Sequence, residues 1–312
     1  MAFTANGRSN TAGKFALEVG KTSAGWVQSV EGGHATSDVI VEKVGPDNIQ
    51  HKHIGGVKYE DITINCGTGM SKAFYEWIKA SFDRKHMRND GAIHTCDYDG
   101  NIVTTLDWHM GLISEVGFPA LDASSKDAAK MSIKVSPEIT RHKKGSGKAD
   151  VSKFALGQGE QKKWTLANFR LSIQGLEDAC KKVNKIEAIT LKQKVIEDAC
   201  GELRDYPKEP ANLEIPNLVI TMAEATSEKF YEWHKSFVID GKNDQGSEKG
   251  GTLEYLTPDL KTVLFTLTFS NLGIFKFTPE KRDAGSENIS RVKAEMYCEN
   301  IEFKYGGGSS WA

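Results

Sequence analysis

The sequence predicts a mainly β protein: two β-barrels or sandwiches in tandem, each carrying one α-helix. Three observations predict it. Short runs of residues alternate apolar and polar, and Gly, Pro, Asn and Asp clusters separate them, as in half-buried strands joined by turns. The period changes to 3.6 around Phe74 and again around Phe230, as it does along an amphipathic helix. These two helical stretches share four residues, "FYEW" at Phe74–Trp77 and at Phe230–Trp233, 156 positions apart in a chain that is only 9% aromatic. The flanks agree at nearly the same offset: "YEDITI" precedes the first copy as "IPNLVI" precedes the second. "GAIHTCDYDGNIVTTLDWHMGLI" follows one as "GTLEYLTPDLKTVLFTLTFSNLGI" follows the other. An internal duplication explains this order of elements.

In chain order, residues 1–14 are small and polar and read as an N-terminal arm. "FALEVG" (Phe15–Gly20) alternates as a first strand, "GWVQSVEGG" (Gly25–Gly33) as its hairpin partner, and "SDVIVEKV" (Ser37–Val44) as a third strand. "GPDN" makes a turn, since Pro sets its own φ and Asp and Asn bond back to the backbone. The chain returns through "KHIGGVKYEDITIN". A helix follows, with Phe74, Trp77 and Phe82 inward and Ser71 placed to cap it. Strands flank the turn "YDGN", and "MSIKVSPEIT" (Met131–Thr140) closes a first domain over 15–141. Residues 142–163, rich in Gly, Lys and Gln, read as the connection. A second domain over 164–305 repeats the order, with Phe230, Trp233 and Phe237 inward on a helix capped by Thr226 or Ser227. "EDACGELRDYPKEPAN" is a longer connection inside it, and 306–312 are a tail.

The chain has 312 residues, enough for two domains that each bury a core. Charge is dense, 26% DEKR, but nearly balanced, with a formal net of −2. Residues 1–150 hold 18 basic and 18 acidic side chains, so neither half is a basic module and specific nucleic-acid binding is not expected. No segment approaches the roughly 18 apolar residues of a membrane span, and the N-terminus lacks the apolar run of a secretory signal. Five cysteines without CxxC spacing read as reduced, mostly packed thiols.

The residues resemble a known family. The stretches "FALEVG…GWVQSVEGG", "GGVKYEDITINCG", "FYEWIKASF" and "GAIHTCDYDGNIVTTLDWHMGLISEV" are similar, in this order, to the phage tail-tube proteins. The same family includes the inner-tube proteins of contractile injection systems and is akin to the ring-forming hemolysin-coregulated proteins. Lys58, Tyr59, Ile62, Ile64, Trp77, Trp108 and Pro119 occupy the pattern's places. The second half departs from it: the Gly-Gly and Lys-Tyr pairs are missing before Ile215, and Phe269 stands where the first half has Trp108.

The resemblance implies a structural, non-enzymatic barrel that closes six to a ring, with rings stacked into a hollow tube. Two barrels per chain imply a trimer forming a pseudo-hexameric ring, either in the tube body or as a tube-initiator or baseplate hub adaptor. Implied partners are further copies of the chain, sheath, baseplate or tube-initiator proteins, and effector cargo in the lumen. The implied setting is assembly in the bacterial cytoplasm as part of a virion tail or a released particle. In the family a hairpin after the second strand meets the adjacent ring. Carried over, it spans about Val39–Lys58 and about Ala188–Asn212 here. The implied ring-stacking residues are Val39, Val41, Lys43, Pro46, Asp47, His51, His53 and Lys58, with Leu191, Lys194, Glu202 and Arg204 in the second half.

Catalytic, metal and cofactor sites are not expected. Asp97-Tyr98-Asp99-Gly100 lacks the rest of a calcium loop and reads as a turn. His51-x-His53 has no third ligand, and His94 and His109 read as sheet residues. No Walker loop, HExxH or G-x-S-x-G occurs. A competing class, a monomeric β-barrel enzyme or carbohydrate binder, would show paired carboxylates in a cleft. No pairing stands out. A cargo protein that uses tube-like domains as its carrier would add a further domain, and none is seen.

Overall fold

The computed structural model describes residues 13–43, 45, 49–149, 164–281 and 289–306. Most of the expected arm, residues 150–163 of the expected connection, the tail beyond 306, Pro46 and Asp47 lie outside the described residues.

The first half contains β1 (Lys14–Val19), β2 (Thr22–Val27), β3 (Ser29–Gly32), β4 (Ala35–Glu42), β5 (His51–Tyr59) and β6 (Ile62–Cys66). Then come α1 (Lys72–Phe82), β7 (Asn89–Cys96), β8 (Ile102–Phe118), β9 (Leu121–Asp122), β10 (Met131–Ser136) and β11 (Ile139–Lys144). The second half contains β12 (Phe169–Ile173), α2 (Glu177–Cys180), β13 (Val183–Ile186), β14 (Ile189–Glu197), β15 (Lys208–Glu214) and β16 (Leu218–Ala223). It ends with α3 (Glu228–His234), β17 (Lys249–Leu256), β18 (Val263–Pro279), β19 (Arg291–Tyr297) and β20 (Asn300–Tyr305). The order is the same in both, except that the single turn of α2 stands in place of β2 and, among the described residues, β9 has no counterpart. Strands dominate and curl into a nearly closed barrel.

Several expected boundaries shift for local reasons. Gly20 and Lys21 both take positive φ, the two-residue turn that suits a hairpin, so the partner of β1 starts at Thr22 rather than Gly25. The expected single strand Gly25–Gly33 divides at Gln28, because β2 pairs with β1 while β3 pairs with β6. "MSIKVSPEIT" also divides. Pro137 has no N–H to donate, and β10 and β11 pair with different ends of β8. β11 then runs to Lys144, into the segment expected as connection.

β8 and β18, each 17 residues long, organise the halves. The first part of β8 lies between β7 and β11, and its last part pairs with β10. Met110 sits at the change with φ 51. β18 behaves alike, between β17 and β20 and then along β19, with Asn271 at φ 56.

α1 starts at Ser71, whose Oγ accepts a hydrogen bond from Phe74 N at 3.3 Å. Its counterpart is capped differently: Ser227 Oγ donates to Glu224 O at 2.8 Å, closing the preceding 3₁₀ turn instead. One π-type turn, Lys235–Ile239, extends α3 and carries the buried Phe237. Phe74, Trp77, Phe82, Phe230, Trp233 and Phe237 are all buried.

The sequence suggests a core for each half, yet one hydrophobic cluster runs through both. Tyr75 stacks on Tyr305, with centroids 5.6 Å apart, and Phe82 stacks on Phe303 at 5.5 Å. Helix α1 of the first half thus packs on β20 of the second.

Candidate functional site

The surfaces able to carry assembly are two hairpins and the strand edges they face. The first hairpin, β14–β15, is already docked. Ile189, Leu191 and Gln193 alternate inward on β14 and are buried. β14 pairs antiparallel with the end of β8: Ile189 with Phe118, Thr190 with Gly117, Leu191 with Val116, Lys192 with Glu115. Leu191, expected at a ring-stacking surface, is therefore covered within the chain.

Polar contacts fasten this joint. Lys208, 6% exposed, donates from Nζ to Ser136 Oγ at 3.1 Å and from its backbone N to Glu138 Oε1 at 3.0 Å. Arg88 donates to Lys208 O at 2.9 Å and pairs with Glu209 at 2.7 Å. Tyr59 donates to Asp205 at 2.7 Å and accepts from Arg141 at 2.8 Å. That phenolic oxygen holds the Arg141 guanidinium above its usual range. A second seam joins β9 to β13, where Lys185 meets Asp122 at 2.9 Å. Hydrogen bonds from Ser124 and Lys185 hold the Asp122 carboxyl at about 2.

The other hairpin, β4–β5, pairs among the described residues only with itself. Every residue of β4 is exposed, and Ile54 of β5 is 78% exposed. Val39, Val41, Lys43, His51, His53 and Lys58 all lie on or beside it, and Lys58 also feels the Glu197 carboxylate at the end of β14. Lys58 meets Asp38 at 2.5 Å, whose carboxylate raises the lysine's pKa. His53 lies 3.6 Å from Glu42. In the second half Lys194, Glu202 and Arg204 are exposed.

A strand edge is also exposed. Beyond Gly273, β18 pairs with β19 on one side only among the described residues. Phe275, Lys276 and Pro279 are exposed there, and Phe277 and Thr278 are half-buried. Tyr231 in the middle of α3 and Val238 in the π-type turn after it are also exposed. Beside this edge Tyr297 donates to Glu248 at 2.6 Å; burial, then the neighbouring carboxylate, push its phenol up to about 12.

The residues weighed for chemistry have structural partners. Asp97 accepts from the backbone N and the Nδ2 of Asn101, both at 2.8 Å, which closes the "YDGN" turn. His94 Nδ1 lies 2.9 Å from Thr105 Oγ1, and His109 lies 3.5 Å from Asp90. Among the described residues no group of three His, Cys, Asp or Glu is placed to hold a metal ion. None of their helices is long and apolar enough to cross a membrane.

Residues 11–139 match the family model described as the T4-like virus tail tube protein gp19. No curated protein matches the sequence. Among solved structures, a chain of the sheath-tube complex of an extracellular contractile injection system, PVC, is 21% identical with a TM-score of 0.39. The match covers 44% of this chain and 92% of that one. The sheath/tube terminator of PVC is 20% identical at a TM-score of 0.40, over 45% of this chain and 99% of that one. Hcp1 from Flavobacterium johnsoniae is 16% identical at 0.27, over 44% and 95%. The match to the tail tube family model thus spans about two fifths of the chain, all of it in the first half.

Proposed function

We propose that this protein is a tandem tail-tube subunit, with residues 15–141 and 164–305 as duplicated tube domains. Three chains supply six barrels to one ring, and rings stack into the inner conduit of a phage tail or contractile injection system. The observation that carries the reading is the recurrence of one element order in both halves, the first of which matches the tail-tube family. A closed cyclic ring is the common arrangement for such subunits. The outer part of the exposed β4–β5 hairpin, Val39–Glu42 with His51–Ile54, suits the contact between stacked rings and leaves its base at Ala35 and Thr36 for contacts within a ring. The same reading makes sheath and baseplate proteins the partners, the lumen a path for cargo, and cytoplasmic assembly followed by release the setting. A ring that forms without stacking would instead favour a tube-initiator or hub adaptor.

Light scattering of the purified protein tests this. One chain has a mass of 34.3 kDa. A trimer of about 103 kDa, or whole multiples of it, is the expected result. A single-chain species at every concentration overturns the reading.

A further inference from the structure

We infer that the free β4–β5 hairpin of one chain pairs with the open end of β18 in a second copy, in the register that β14–β15 adopts on β8 within the chain. The inference rests on the reading of this chain as a ring subunit, and it names which edges meet.

The two hairpins correspond residue for residue at an offset of 156. Thr36 pairs with Lys58 as Lys192 pairs with Glu214, and Val41 pairs with Lys52 as Glu197 pairs with Lys208. Both carry their register shift at the same place, between Ser37 and Val39 and between Gln193 and Val195. The receiving strands correspond at an offset of 161. Val116 faces Ile133 across β10 as Phe277 faces Ala294 across β19, and Ile113 faces Val135 as Ile274 faces Met296.

Burial separates the occupied from the vacant position. Val116 and Phe118 are 1% exposed beneath the docked hairpin, whereas their counterparts Phe277 and Pro279 are half-buried and exposed. Leu191 is buried, whereas its counterpart Ala35 is exposed. The polar pairing has counterparts too: Lys52 stands where Lys208 does, and Glu299 where Glu138 does. Transferring the internal register places His34 opposite Thr278, Ala35 opposite Phe277 and Thr36 opposite Lys276. A joint between two different edges is head-to-tail, so each copy keeps one free hairpin and one free edge until the rotation closes a ring. Backbone unpaired among the described residues, on β4 and beyond Gly273 on β18, gives the hydrogen-bonding drive.

The test mixes two full-length chains, each with Cys200→Ser so that only the four buried cysteines remain. One carries Thr36→Cys and the other Lys276→Cys, both at exposed positions. Directly opposed positions lie within disulfide reach after mild oxidation. The control replaces Thr36→Cys with Ile40→Cys, about 13 Å along the strand. Each chain is also oxidised alone, and light scattering follows assembly. At least about ten times more mixed disulfide dimer than in the control is expected. Assembled particles without that excess overturn this joint and leave the ring reading standing. A single-chain species throughout overturns both.

Discussion

Lys208 Nζ and Ser136 Oγ meet at 3.1 Å although 72 residues separate them, one in each half of the chain. A buried ammonium needs its acceptors, because leaving a donor unsatisfied costs its desolvation. Ser136→Ala should therefore destabilise the protein by about 1–3 kcal/mol, read as a lower Tm in thermal unfolding. Equal melting of variant and parent would show that water satisfies Lys208 instead.

Tyr75 and Tyr231 occupy equivalent places in the two "FYEW" copies but have opposite fates. Tyr75 is fully buried against Tyr305 and Phe265, while Tyr231 is 49% exposed. Burial and not helix position should decide the cost. Tyr75→Ala is expected to cost about 3–5 kcal/mol, and Tyr231→Ala below about 1 kcal/mol in the isolated chain. Denaturant unfolding of the two variants measures the contrast.

Asp122 ties β9 to β13 while ionised, and its folded value of about 2 lies below the unfolded value of roughly 3.9. The stabilisation is present above the unfolded value and is lost as pH falls from there through about 2. The Tm advantage of the parent over Asp122→Asn should shrink across that window, though partial exposure keeps the advantage modest. A difference that stays constant from neutral pH into that acid window would rule out the carboxylate as its source.

Cys200 alone among the five thiols is partly exposed. Burial pushes Cys66 up to about 12 and Cys180 and Cys298 up to about 11, and it raises Cys96. Alkylation of the native chain should modify Cys200 first and slowly, because the Asp198 carboxylate raises its pKa too. The other four should react only on unfolding, a pattern peptide mass mapping reads directly.

Shortening the β4–β5 hairpin should leave the far-ultraviolet circular dichroism of the fold intact, since every residue of β4 is exposed. Stacked particles should disappear from electron micrographs. An unfolded shortened chain would make the hairpin part of the core.

Much of this architecture is legible in the sequence because it is local. The period-2 strands, the two helices with their aromatic faces and the "YDGN" turn follow from neighbouring residues. What pairs with what across the halves is not local. "NKIEAITLKQKVI" reads as strand, but nothing in it says that Leu191 will lie on Val116 and not on another chain. Aromatic residues on α1 predict burial without naming Phe303 and Tyr305 as the cover. The exposed end of β18 is illegible for the same reason: Phe275 and Phe277 alternate like any buried strand. The one available signal was the shared lysine at positions 52 and 208, which becomes informative only once the offset of 156 is applied to the hairpins.

The kinked strands β8 and β18 have a mechanical consequence. Each passes, at Met110 or Asn271, from one sheet into the next without a chain break. A push on the end of either strand travels along one continuous strand, held over its first part by hydrogen-bonded neighbours on both sides, with no loop to absorb it. Two such struts in one polypeptide make each half bend as a unit and not about a loop between its sheets.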